Sequence, residues 1–348
     1  MYNVIARNVN DALAGAVDLM NHQGVAAETR NGPVRYLAAP ICIMYACPTE
    51  RVLFNETRDA NPFFHFFESL WMLSGRNDVG YVAKFAKSIA NYSDNGKTFW
   101  GAYGYRWRNH FNAVDQIEEI VAALKADKSS RRCVLQMWDG SQDLVVARQG
   151  GKDVPCNTSA MFLISPEGRL NMTVTNRSND LVWGCFGANM VHFSYLLEYM
   201  AGRIGVEVGY YWHFSNNLHM YDKTAPQVRD VIFEHEQDHS HEPYVSELVD
   251  SYPMFSSGQK DGTWDEDLAM FMENPSCFGY RHTFFKRVAK PMWFAFQAYQ
   301  QIENPERFSQ ALEIVGQCVA SDWRVACEDW IQRREAAHIR KMEKKNAA

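Results

Sequence analysis

Apolar and polar positions follow two rhythms along this chain. Over residues 9–23 (VNDALAGAVDLMNHQ) and 115–125 (DQIEEIVAALK) apolar side chains return every three or four positions, which predicts helices with one buried face. Residues 188–205 (ANMVHFSYLLEYMAGRIG) show the same spacing. In 60–76 (ANPFFHFFESLWMLSGR) nearly every position is apolar, so a buried helix is predicted there, with Asn61 as N-cap, Pro62 at the first helical position and Gly75 near its end. The second rhythm has period two. Leu170, Met172 and Val174 alternate with Asn171, Thr173 and Thr175, as a strand with two different faces requires. RRCVLQMWD (131–139), TSAMFLIS (158–165) and VEVGYYWHF (206–214) are further strand candidates, and AAETRNGPVRYLAAPICIMY predicts a turn at Asn31-Gly32 leading into another. After about residue 250 the segments TWDEDLAMFMENP, FFKRVAKPMWFAFQAYQQI and PERFSQ to KMEKK (305–345) each predict a helix, the last with a solvated basic end. Strands and helices mix without strict βαβ alternation, which gives an α+β class.

Composition narrows the partners. The 348 residues are 47% hydrophobic and 22% charged, ordinary for a globular chain with a sizeable core. A net charge of -6 argues against a general binder of nucleic acid or of membrane surfaces. An anionic small molecule would then need a local arginine cluster. The eight cysteines are scattered without a CxxC, so neither a disulfide framework nor a zinc site is expected. The N-terminus lacks a signal-peptide pattern and no apolar run is long enough to span a bilayer. Reduced thiols in a cytoplasmic protein are the expectation.

Three features could carry chemistry. Cys156 sits behind Pro155 in DVPCNTSAMF, between a polar turn and a strand. An isolated cysteine is more often inert packing than a nucleophile, and a thiolate needs cationic neighbours. Arg30, Arg131, Arg132 and Arg177 lie where strands begin and end. Beside Ser178 and Asn179 such forks suit a phosphate. Glu68 is the odd carboxylate in an otherwise apolar helix. It is either partly desolvated and able to exchange protons, or turned to solvent on the helix's one polar stripe.

Eight short motifs then fall in a recognisable order: TRNG (29–32), FFESLWMLSG (66–75), YGYRWR (103–108), SRRCVLQMWD (130–139), DVPCNT (153–158), NRSNDLVWG (176–184), GANMVHFSY (187–195) and SNNLHMY (215–221). With them the chain resembles the superfamily of thymidylate synthases and deoxynucleotide hydroxymethylases, of the kind often met in bacteriophages. The resemblance implies the thymidylate synthase fold over residues 1–245, followed by a helical C-terminal extension over 246–348. It implies a folate-dependent one-carbon transferase acting on a pyrimidine nucleoside monophosphate, with 5,10-methylenetetrahydrofolate as co-substrate. It also implies a homodimer whose arginines are shared across the interface, with no direct nucleic-acid, membrane or metal contact. Cys156 matches the nucleophile that adds to C6 of the base. Arg30, Arg177 and Ser178 match a phosphate-binding set, and Arg131 and Arg132 match arginines given by the partner subunit. Glu68 matches the glutamate that manages waters and protons. Tyr103 matches a tyrosine beside the thiol, and His219 and Tyr221 match groups that bind the ribose. Asp180 and Trp71 match positions on the folate side.

Asn189 bears on the choice of base. An amide offers a donor and an acceptor to the uracil edge, whereas a carboxylate suits the cytosine amino group. Aligning Asn189 with the family's asparagine requires one extra residue after Gly184, and an N-cap for the following helix is the plainer alternative. Three departures favour hydroxymethylation over reductive methylation. Asn157 follows the nucleophile where synthases have histidine. The tryptophan that packs on the folate is missing near Ser88 and Ile89. The end KKNAA is not an apolar closing tail. A wetter pocket favours attack by water over hydride transfer. The expected reaction is therefore 5-hydroxymethylation of dUMP. The alternatives are a thymidylate synthase proper, a dCMP hydroxymethylase or methylase, and a catalytically silent nucleotide-binding homologue.

Overall fold

The computed structural model describes residues 1–232, 242–255 and 262–346. Its strands, in chain order, are β1 (Tyr2–Ala6), β2 (Gly24–Thr29), β3 (Gly32–Leu37), β4 (Ile41–Tyr45), β5 (Cys133–Gln136), β6 (Asn157–Ile164), β7 (Arg169–Asn176), β8 (Asn179–Asp180), β9 (Glu207–Ser215) and β10 (Leu218–Tyr221). They form a six-stranded sheet in the order β1-β4-β9-β7-β6-β5 and a four-stranded one in the order β2-β3-β10-β8. Pairing is mixed, with β7 parallel to β9 and antiparallel to β6, as the α+β expectation requires.

Alternation decides which way each strand faces. Leu170, Met172 and Val174 are fully buried, while Asn171, Thr173 and Thr175 lie on the opposite, half-covered face. That outer face is apolar as well, for Val134, Met161, Leu163 and Tyr210 are each at least 40% exposed on it. β5 is shorter than the sequence predicts, beginning at Cys133, so Arg131 and Arg132 precede it on the exposed approach. The turn at Asn31-Gly32 closes a β2-β3 hairpin rather than merely leading into one strand. Gly32 takes φ +111 there, a conformation that disfavours side chains.

The principal helices are α1 (Val9–Gln23), α2 (Pro62–Leu73), α3 (Gln116–Ala126), α4 (Met190–Ile204), α5 (Gly262–Glu273), α6 (Lys290–Tyr299), α7 (Arg307–Val315) and α8 (Ser321–Asn346). Asn61 caps α2 as predicted, accepting from the Phe64 amide at 3.1 Å. α4 is buried along almost its whole length, between the large sheet and α2. The single helix predicted over 305–345 is two, α7 and α8. Gly316 ends the first, and the bend buries Cys318 and Ala320 while the Val319 amide donates to the Arg287 carbonyl.

The C-terminal helices share one core with the sheets. Phe66 of α2 stacks on Phe284 (5.7 Å) and meets Trp323 edge-on (5.2 Å), and Phe67 meets Phe271 and Trp293. Each such buried ring is worth roughly 1.5–3 kcal/mol. At the start of α8 the buried Asp322 accepts from Tyr244 Oη (3.1 Å) and the Trp323 amide (2.8 Å). None of the helices in the described residues is long and apolar enough to cross a membrane.

Candidate active site

The register of β6, β7 and β9 brings one end of each strand together. Asn157 pairs with Asn176 and Asn176 with Ser215, so Cys156, Arg177 and Asn179 all emerge at that rim. The Arg177 amide donates to the Cys156 carbonyl (2.9 Å), and its guanidinium donates to the carbonyls of Pro155 (2.8 Å) and Val154 (3.0 Å). Arginine therefore wraps the turn that presents the thiol. Tyr103 completes the wrapping, because its hydroxyl oxygen accepts from the amides of both Cys156 and Asn157 at 3.1 Å. Burial pushes the Cys156 thiol up. Arg177 pulls it down without offsetting burial, and Asp153 adds to the rise. Asp153, itself buried, has its carboxyl raised to about 6. A resting thiol that is neutral and shielded differs from the cation-activated thiolate that the arginines alone would suggest.

Behind the cysteine runs a chain of buried amides. Asn176 Nδ2 donates to Asn157 Oδ1 (2.9 Å), Asn157 Nδ2 to Asn189 Oδ1 (3.0 Å), and Asn189 Nδ2 to Asn179 Oδ1 (3.0 Å). Asn179 Nδ2 donates to Ser215 Oγ (3.0 Å) and lies 3.1 Å from His213 Nε2. Burial lowers the His213 pKa to about 3, so its ring is neutral. With Nε2 as acceptor the proton sits on Nδ1, which meets Tyr211 Oη at 2.6 Å. All the donors thus point one way. Asn189 is held at both ends of its amide, and one N–H and one lone pair remain for a ligand.

The extra residue needed before Asn189 has a visible form. Leu181–Asn189 is a π-helix, the wider turn that absorbs one inserted residue without breaking the helix that follows. Asn189 has helical dihedrals and makes no capping bond, which removes the plainer alternative. Asp180 caps the π segment, accepting from the amides of Val182 (2.8 Å) and Trp183 (3.2 Å), and burial raises its pKa. A side chain at Gly184 would press within 2.7 Å of Asn179 Oδ1, so glycine is needed where this turn meets the amide chain.

Glu68 does not face solvent. Its side chain is 12% exposed, and Oε2 lies 3.1 Å from Nε2 of the buried His192, one turn beyond Asn189 on the same helical face. The small sheet supplies the remaining edge. His219 and Tyr221 stand edge-to-face on β10 (5.2 Å), and His219 pairs in register with Asp180. Asn31 Nδ2 donates to Tyr221 Oη (3.3 Å), which brings the exposed Arg30 loop to the same side. Ser178 is half-buried between Arg177 and Asn179.

Two sets of predicted residues stand apart. Arg131 and Arg132 are exposed at the far end of β5, while Cys156 precedes the other end of its partner β6. At about 3.3 Å per residue that separates them by roughly 20 Å within one chain. Trp71 is 3% exposed, its indole N–H held by Asp78 Oδ1 (3.2 Å) and its ring against Phe99. A different indole is presented: Trp183, 58% exposed beside Asp180, with the Arg58 guanidinium over its ring. Sequence reasoning missed Trp183, His192, Arg58 and the amide partners Asn176 and Asn179. Only the helical spacing of His192 from Asn189, and the two asparagines flanking Arg177-Ser178, gave any signal.

Comparison with known proteins extends over most of the chain. The family model for thymidylate synthase matches residues 21–245. A deoxyuridylate hydroxymethyltransferase of Pseudomonas phage M6 is 49% identical over 335 residues, which is 95% of this chain and 94% of that protein. A deoxyuridylate hydroxymethyltransferase of Bacillus phage SP01 is 39% identical over 203 residues, covering 55% of this chain and 52% of its own length. A putative thymidylate synthase of Methanosarcina acetivorans is 28% identical over 232 residues, 65% of this chain and 93% of its own.

Proposed function

Because the chain belongs to the thymidylate synthase family and is an enzyme of one-carbon transfer, we propose that it hydroxymethylates C5 of dUMP, using Cys156 as nucleophile. The observation that carries the reaction type is near-full-length identity to a phage deoxyuridylate hydroxymethyltransferase, C-terminal helices included. The base is argued from geometry. Asn189, fixed between Asn157 and Asn179, offers its free lone pair to N3–H of uracil and its free N–H to O4.

In this reading Arg30, Arg177 and Ser178 hold the 5′-phosphate, with His219 and Tyr221 toward the ribose. Cys156 gives its thiol proton to solvent as Sγ adds to C6, and takes one back when it leaves; meanwhile C5 gains carbanion character that Asn189 stabilises through O4. 5,10-Methylenetetrahydrofolate, the one-carbon donor of this family, supplies carbon at the oxidation level of formaldehyde. The half-buried Asp180 carboxyl beside the exposed Trp183 indole suits a flat, hydrogen-bonding heterocycle. Glu68 takes the proton from C5 and then the proton of a water that attacks the exocyclic carbon, after which Cys156 leaves C6. Tyr103 keeps the Cys156 turn in place throughout.

The apolar outer face of the large sheet, with Val134, Met161 and Leu163, supports a second copy seated there. Such a copy would carry Arg131 and Arg132, too remote from their own thiol, to the neighbouring phosphate. All eight cysteines are free thiols, as suits an enzyme working in a reducing cytoplasm. The test is to incubate the protein with dUMP, dCMP and methylenetetrahydrofolate and identify products by mass. 5-Hydroxymethyl-dUMP without dihydrofolate is expected. Thymidylate with dihydrofolate would make it a synthase, and modified dCMP would overturn the base assignment.

A further inference from the structure

His192 is outside every role described so far, yet it touches the group that moves protons. Its Nε2 lies 3.1 Å from Glu68 Oε2, both atoms are buried, and among the described residues neither atom makes a hydrogen bond. A carboxylate and an imidazole this close, neither engaged elsewhere, form a unit able to hold a proton on either member. The other charged or titratable groups facing it are His65, one turn before Glu68 on α2, and Arg58. Burial, and after it the nearby Arg58 guanidinium, hold the His65 pKa well below its usual value, so His65 is neutral.

We infer that His192 is the proton partner of Glu68, a positioning residue that stores the second proton of the hydroxymethylation cycle. This rests on the proposed function. In the cycle one proton leaves C5 and another leaves the attacking water, whose oxygen forms the new C–O bond. The electron pair of the exocyclic double bond returns to the ring, then forms C5=C6 as the C6–S bond breaks. Two nitrogen atoms of the folate donor take up the two protons. A lone carboxylate stores one proton at a time. With His192 beside it, Glu68 can accept from water while an earlier proton is still in the site.

The test compares wild type, His192→Gln and Glu68→Gln with 5-tritiated dUMP and the folate donor across pH 5.5 to 9. For His192→Gln we expect KM for dUMP within about twofold and kcat for hydroxymethyl product lower by about 10- to 100-fold. The shape of the kcat–pH profile should change, because the group that exchanges protons with Glu68 is gone. Tritium release should fall less than product formation. A lowered kcat with the wild-type profile unchanged would make His192 merely structural and overturn the inference. If wild type itself releases no tritium, the functional reading fails and the inference with it. Should His192→Gln not fold, 15N spectra of histidine-labelled wild type and Glu68→Gln decide. The His192 resonances must move between them, and unmoved signals overturn the proposal.

Discussion

Replacing Asn189 by aspartate perturbs the amide chain and the base at one atom. The new oxygen faces Asn179 Oδ1 where an N–H stood at 3.0 Å, so two acceptors meet. Relief comes either from a proton on the introduced carboxylate or from Asn179 turning over. If Asn179 turns, its oxygen faces Ser215 Oγ, which can donate, and His213 Nε2, which must then carry the ring proton while Nδ1 accepts from Tyr211. The chain can therefore run backwards at the cost of one tautomer change. An unrelieved acceptor would cost about 1–3 kcal/mol of stability. Toward the base, a carboxylate meets uracil O4 without a donor. A mismatched charged hydrogen bond of about 1.5–3 kcal/mol lowers kcat/KM for dUMP by about 10- to 100-fold. The same oxygen accepts from the cytosine amino group, so kcat/KM for dCMP should rise about tenfold or more. The assay is kcat/KM for each nucleotide by product mass, with thermal unfolding alongside. A dUMP-to-dCMP preference unchanged within about threefold would refute the reasoning that Asn189 reads the base.

Mixing tests whether a second copy supplies Arg131 and Arg132 to the site of the first. Cys156→Ala and the double variant Arg131→Ala, Arg132→Ala should each be inactive as homodimers. Co-refolded in equal amounts, they should regain about a quarter of wild-type activity, because half the dimers are mixed and each holds one complete site; no recovery would place those arginines outside the neighbour's site. Asp322 predicts a pH effect. Burial raises its carboxyl to about 7, so the native chain keeps a proton that the unfolded chain releases, and stability falls as pH rises between about 4 and 7. Asp322→Asn removes that term, so its Tm relative to wild type should climb from pH 5 to 8; a constant difference refutes it.

What the sequence made legible was local. Asn61 and Pro62 start α2 as any capped helix starts, and the Leu170 to Thr175 alternation follows from a sheet with one face in the core. Cys156, Tyr103 and Arg177 were identified through short motifs, and they do converge on one turn. The amide chain was not legible, since its four asparagines come from β6, β7, β8 and the π segment, and only strand register aligns them. The His192–Glu68 contact depends on how α4 crosses α2, which no local pattern encodes. The bend between α7 and α8 escaped notice because helix periodicity continues through it, while the turn is set by packing of Cys318 and Val319 on distant residues.

The helix bearing Glu68 is packed from two sides, and the family match covers one of them. One side meets α4, inside the stretch that the family match covers, and the other meets aromatic rings of residues 271 to 323, which lie beyond it. A gene that recombined the shared stretch alone would strip Phe66 and Phe67 of their cover and loosen the acid from below. Replacing the C-terminal helices is therefore expected to disturb the seat of Glu68 before it disturbs the rim that carries Cys156 and Arg177.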